Sequence, residues 1–188
     1  IHRAAPLIAR VAAFGRREVR IHALPFFEVM SITQASTDNS RNVVPDRLHL
    51  NVNFRFAPGR SMEDARAELE AVLRGPSPSD EAPEGIEVEI LDEAPSGAVC
   101  MGSPLLQAWR KATGLPVEAK QAWTDVAQLT RAGIPAVNFG PGETAMAHQA
   151  RESVPIGALV EAHRLLEVLL DLNQPPIPLR SPIDESHP

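Results

Sequence analysis

The sequence has one cysteine, Cys100, and no tyrosine. A lone thiol closes no internal disulfide and builds no thiolate cage for zinc, so a secreted disulfide scaffold is excluded. Basic residues are the minority: 18 Lys and Arg stand against 24 Asp and Glu, a formal charge of −6 with His neutral. Phosphate contacts need clustered Lys and Arg, so no nucleic-acid partner is expected. Apolar runs fall short of the ~20 residues that span a bilayer, and no membrane partner is expected either. No signal-peptide pattern stands out, which makes the cytoplasm the expected compartment. Aromatics are 4% of the residues while prolines number 18, which predicts stiff loops and an aliphatic core. With 44% hydrophobic and 22% charged residues, a buried core is feasible and wholesale disorder is not expected. A length of 188 residues suits one ordinary domain or two small ones.

Helical spacing of Ile1, Ala5, Ile8, Val11 and Ala12, with Pro6 in the first turn and Gly15 as a stop, predicts an opening helix. Nothing before Ile1 could cap it, so the chain reads as the tail of something longer. Glu28–Ser36 has strand character. Over Asp46–Phe56, Leu48, Leu50, Val52, Phe54 and Phe56 alternate with Arg47, His49, Asn51, Asn53 and Arg55, which predicts a strand with one packed and one polar face. Ser61 should cap a helix, with Asp64 at the capping-box position and Met62, Ala65, Leu69, Val72 and Leu73 inside. A loop is expected over Gly75–Asp80, and a third short strand over Ile86, Val88 and Ile90. The expected product over residues 1–92 is an α+β domain, an antiparallel sheet with two helices on one face.

From about Ala94 the pattern becomes α/β. Ser103-Pro104 opens a helix with Leu105, Leu106, Ala108, Trp109 and Ala112 inside, closed by Gly114. Thr124 or Asp125 caps the next, which stops at Gly133. A buried strand is expected over Ile134–Phe139, then the tight turn Gly140-Pro141-Gly142. A last helix runs from about Ile156 to Leu172, and a Pro-rich tail follows. Ligands of open α/β sheets gather beyond the strands' carboxyl ends, which here means Gly140–Glu152.

His148 stands in that stretch, and imidazole serves as a metal ligand or as a general base. A guanidinium in mid-strand, Arg55, suits a carboxylate through its planar fork, yet the pattern alone favours an exposed strand face. Asn42 fits an Asx turn leading into the strand, and Asp125 fits a helix cap. His163 is expected to be packed or half-exposed on the last helix. His2, His22, His49 and His187 are expected on surfaces or strand faces. Gly140-Pro141-Gly142 lacks the length and the lysine of a phosphate loop.

Four segments in order resemble the C-terminal part of the co-catalytic zinc deacylase and exopeptidase family. They are Ile1-His2-Arg3-Ala4-Ala5-Pro6; Asn42-Val43-Val44-Pro45 with Asn53-Phe54-Arg55-Phe56; Thr124-Asp125-Val126-Ala127 through Ala132–Gly142; and Ala147-His148 with Glu152. The resemblance implies a lid or dimerisation domain over 1–92, the C-terminal part of a catalytic domain over 93–174, and a tail over 175–188. It implies that His148 binds one zinc of a pair, with cobalt as an alternative metal. Arg55 and Asn42 would hold carboxylate and polar groups of a small acyl-amino-acid substrate. Trp123, Thr124 and Gly142 would line the pocket. The implied chemistry is amide hydrolysis of N-succinyl-LL-2,6-diaminopimelate to succinate and LL-2,6-diaminopimelate, on the route to lysine. No catalytic residue is expected within this stretch, because the resemblance puts the general-base glutamate upstream. The chain alone is therefore expected to be inactive, and a homodimer is expected through the lid. An acetylornithine deacetylase-like or carboxypeptidase-like enzyme, or a non-catalytic α+β module, are the alternatives.

Overall fold

Arg16-Arg17-Glu18-Val19-Arg20-Ile21 is too charged to advertise a strand, yet it folds back on Leu24 through the two-residue turn His22-Ala23. Both turn residues have positive φ, 49° and 66°, the primed geometry that matches strand twist. The structure, a computed structural model, describes residues 1–75 and 85–172. The part of the expected loop beyond Gly75 and the Pro-rich tail from Asn173 lie outside the described residues. Two units emerge: residues 1–99 with 118–138, and residues 100–117 with the described residues from 139 onward.

In the first unit a short 3-10 turn, His2–Ala4, leads into α1 (Ala5–Phe14). Then come β1 (Arg16–Ile21), β2 (Leu24–Ser36), β3 (His49–Arg55) and α2 (Met62–Arg74). The sheet is antiparallel in the order β1-β2-β3, and a register shift between Ile32 and Gln34 marks a bulge in β2. Leu7, Val11 and Phe14 of α1 meet Met30 of β2 and Leu73 of α2 in one buried cluster, with Val52, Phe54 and Leu69 packed against it. Phe14 and Phe54 stack edge-on at 5.4 Å. Both helices thus cover the same face of the sheet, as expected of an α+β domain. Arg10 fastens them, its Nε and Nη2 donating to the carbonyls of Val72 and Leu73 at 2.8 and 2.6 Å, where α2 has unpaired carbonyls. At the other end of α2, the Ser61 hydroxyl accepts the Asp64 N–H at 2.9 Å, the expected cap.

Two expectations change in this part of the first unit. The buried face of α1 is Leu7, Val11 and Phe14, while Ile1 and Ile8 are exposed at 58% and 36%. The i, i+4, i+7 row competes with the row through Ile8, and the sheet selects the one ending in Phe14. Ile86 and Val88 do pack against the core, yet residues 86–90 join no ladder; β1 is the third strand of the sheet instead. Alternation reports burial, whereas ladder membership needs a free edge in register.

The same unit holds α4 (Val126–Arg131), N-capped by Asp125 without a side-chain bond. Residues 134–139 form no strand, and Ile134 and Val137 are 52% and 47% exposed. A buried parallel strand needs paired neighbours, and the described residues provide none. In the second unit, α3 (Pro104–Thr113) starts after Ser103 and ends at left-handed Gly114, as expected. It packs on α5 (Ile156–Leu172): the Trp109 indole N–H donates to the Leu165 carbonyl at 2.7 Å, and its ring meets Phe139 at 5.0 Å. Ala108 and Ala112 are exposed rather than inward. His163 is exposed too, 3.6 Å from Glu167 one turn on. Among the described residues, no helix is long and apolar enough to cross a membrane.

Candidate functional site

Helices cover one face of the first unit's sheet, so the opposite face carries the side chains that alternate outward. On β3 these are His49, Asn51, Asn53 and Arg55, all exposed, while Leu50, Val52 and Phe54 turn inward, as the alternation predicts. Arg55 ends the strand opposite Val29, which on its other side faces Arg16. Residues directly opposite share a face, so two guanidiniums flank Val29 on the open side. Arg16 lies over the Phe27 ring at 3.4 Å. Arg55 makes no ion pair among the described residues. Asn42 is exposed in the turn that the Val43 N–H closes onto the Ser40 carbonyl at 3.1 Å.

The helix-covered face holds a buried charge that the sequence reading missed. Glu28 is 2% exposed. Its Oε1 accepts from the Ala57 N–H at 3.1 Å and from Arg60 Nε at 2.9 Å, and its Oε2 accepts from Arg60 Nη2 at 2.9 Å. Arg60 also pairs with Glu68 at 2.6 Å, and Glu68 in turn with Arg17. The hydrogen bond to Glu28 chiefly holds the Arg60 guanidinium above its ordinary value; desolvation opposes it, and the charges of Glu28, Glu68 and Asp64 add to it. A cavity of about 610 Å³ opens beside this pair, between Val19 and Ile21 of β1 and Asp64 and Glu68 of α2. The signal in the sequence was the period: Glu28 sits at an inward position between Phe26 and Met30, where only a paired acid is tolerated.

Past Arg55 the chain leaves the sheet, and Gln121 takes its place. The Gln121 side-chain oxygen accepts the Phe27 N–H at 3.1 Å, and its nitrogen donates to the Pro25 carbonyl at 2.9 Å. No sequence pattern announced this residue. Two positions on stand Trp123, 55% exposed, and then Thr124, whose carbonyl accepts the Ala127 N–H at the start of α4. Arg55, Asn42, Trp123 and Thr124 therefore belong to the first unit, with Arg55 and the Trp123 loop at the same end of β2.

Gly142 and His148 belong to the second unit. Gly142 has φ +89°, and a Cβ there would come within 3.2 Å of Val154 Cγ2, so the turn needs glycine. His148 itself takes φ +63°, uncommon for a residue with a side chain. Glu152 holds it there, its Oε2 accepting the His148 N–H at 2.9 Å. The imidazole is exposed. Among the described residues, no group of three or more His, Cys, Asp or Glu is gathered as a metal site would need. A catalytic zinc takes about three protein ligands. These residues therefore do not by themselves make a metal centre.

Residues 1–81 match the peptidase dimerisation domain. The chain is 32% identical over 171 residues, 90% of its length, to the succinyl-diaminopimelate desuccinylase of Corynebacterium glutamicum. It is 33% identical over 166 residues, 88% of its length, to a Mycobacterium tuberculosis protein provisionally named succinyl-diaminopimelate desuccinylase DapE. An acetylornithine deacetylase of Myxococcus xanthus is 26% identical over 142 residues, 76% of the chain. The chain spans 45% of the length of each of the two desuccinylases and 37% of the deacetylase.

Proposed function

From the premise that residues 1–81 are a peptidase dimerisation domain, we propose that the chain is part of an amide hydrolase acting on N-succinyl-LL-2,6-diaminopimelate. Water and the amide become succinate and LL-2,6-diaminopimelate, a step toward diaminopimelate and lysine in the cytoplasm. The observation that carries this reading is Arg55: a guanidinium on the open sheet face, without an acid partner among the described residues, at the strand end where the Trp123 loop is fastened. Such a fork is suited to a carboxylate, and this substrate carries three. Identity of 32–33% to two desuccinylases, against 26% to the deacetylase, supports a succinyl over an acetyl group.

In this reading Arg55 binds a substrate carboxylate, Asn42 a polar group, and Trp123 and Thr124 line the pocket. His148 gives an imidazole to one of two zinc ions, with cobalt able to replace zinc. The other donors and the general base belong to polypeptide outside this sequence, in keeping with a chain that spans 45% of the desuccinylases. Residues 1–92 act as the lid, and 93–174 complete the catalytic domain. Two lids associate as a homodimer, since an open sheet edge invites pairing. The test is metal analysis and amide hydrolysis by the full encoded protein beside His148→Ala. Loss of bound zinc together with rate supports the reading, and unchanged zinc and rate contradict it. The 188-residue chain by itself should show no turnover with added zinc.

A further inference from the structure

An antiparallel hairpin fixes where main-chain groups point. The pair Ile21↔Leu24 flanks the two-residue turn and exchanges hydrogen bonds, so every second residue after it on β2 (Pro25, Phe27, Val29) directs its N–H and C=O away from β1. On that side Val29 meets Arg55 of β3. The next rungs would fall to residues after Arg55. They do not, because the Ala57 N–H is taken by the buried Glu28 carboxylate at 3.1 Å and the chain turns inward. Two backbone groups of β2, the Phe27 N–H and the Pro25 carbonyl, are left facing an empty rung. One side-chain amide satisfies both: Gln121 accepts from the first at 3.1 Å and donates to the second at 2.9 Å, across 94 and 96 residues of sequence.

The other end of the loop is also fixed. Ala127, at the start of α4, is 2% exposed, and a Cβ on Gly97 would meet its backbone nitrogen at 3.4 Å. Only Ala122, Trp123, Thr124 and Asp125 lie between the Gln121 clamp and α4, so a short span is tied down on both sides. Trp123 is 55% exposed within it.

We propose that Gln121 is a positioning residue: by standing in for a strand rung at the Arg55 end of β2, it sets the Trp123–Thr124 wall of the substrate pocket. This rests on the proposed function for the pocket's existence, whereas the clamp itself does not. A leucine at 121 keeps the bulk and loses both bonds; a glutamate keeps the acceptor for Phe27 and loses the donor to Pro25.

The experiment uses the full encoded protein labelled with 5-fluorotryptophan, the Trp123 resonance being assigned by its loss in Trp123→Phe. The Trp123 line should move and narrow in Gln121→Leu and move less in Gln121→Glu, with the Trp109 line unchanged in both. With N-succinyl-LL-2,6-diaminopimelate, Gln121→Leu should raise KM about five- to tenfold, the loss expected of two modest hydrogen bonds, with kcat within about twofold. A Trp123 line unchanged in Gln121→Leu overturns the clamp. A line that moves while KM does not overturns its link to substrate. Absence of hydrolysis in the unsubstituted protein counts against the function alone, and the fluorine comparison still decides the clamp.

Discussion

Glu28 and Arg60 face each other through a two-pronged pair, Oε1 to Nε and Oε2 to Nη2, both at 2.9 Å, on the helix-covered side of the sheet. The same carboxylate takes the Ala57 N–H, so one buried acid turns the chain after β3 toward α2. Removing one partner of such a pair strands the other in a poorly hydrated place. Glu28→Ala should therefore cost about 3 kcal/mol of unfolding free energy, at the low end for buried pairs because Arg60 keeps some solvent contact. Urea denaturation should show a lowered midpoint with an unchanged slope.

The pH behaviour of this pair follows from its sign. Arg60 is raised above its ordinary value in the fold, so its contribution is fully present below that ordinary value and is lost only as pH climbs through the folded one. The stability gap between the parent and Arg60→Met should accordingly be the same at pH 7 and pH 10. Chemical denaturation at the two pH values checks this, and a gap that shrinks by pH 10 would count against the pairing.

The face that α1 presents is a further test. Leu7 is 7% exposed and Ile8 36%. Leu7→Ala should cost about 2–4 kcal/mol, the transfer and cavity terms together. Ile8→Ala should stay within about 0.5 kcal/mol, as for other surface substitutions. Equal effects in thermal or urea unfolding would contradict this choice of face, and a larger loss at Ile8 would make its row the packed one.

Arg55→Lys separates charge from geometry. Lysine keeps the positive charge and loses the planar fork. Charge-assisted hydrogen bonds contribute about 1.5–3 kcal/mol, so KM for the succinylated substrate should rise roughly 10- to 100-fold with kcat little changed. Steady-state kinetics on the full encoded protein reads this directly.

Much of the first unit was legible because its signals are local. The alternation through Leu50, Val52 and Phe54 needs only a two-sided strand, and Ser61 with Asp64 needs only its own helix end. The limits of α5 were equally plain. What escaped depends on partners distant in sequence. β1 is a strand because β2 lies beside it, not because Arg16-Arg17-Glu18 prefers one. Residues 134–139 have the composition of a buried strand, but the described residues give them no neighbour to pair with. Of the site, Arg55 was marked by its place in a strand, and His148 by the loop after Gly142. Gln121 carried no mark at all, since its role exists only where β3 has left β2. Glu28 could have been found from its inward register, the one acid on a row with Phe26 and Met30.

The most direct test is to offer the full encoded protein N-succinyl-LL-2,6-diaminopimelate and N-acetylornithine in competition, in the presence of zinc, and to measure succinate and acetate release together. The account predicts succinate release in clear excess over acetate. Acetate release that equals or exceeds it, or no release of either, would contradict it.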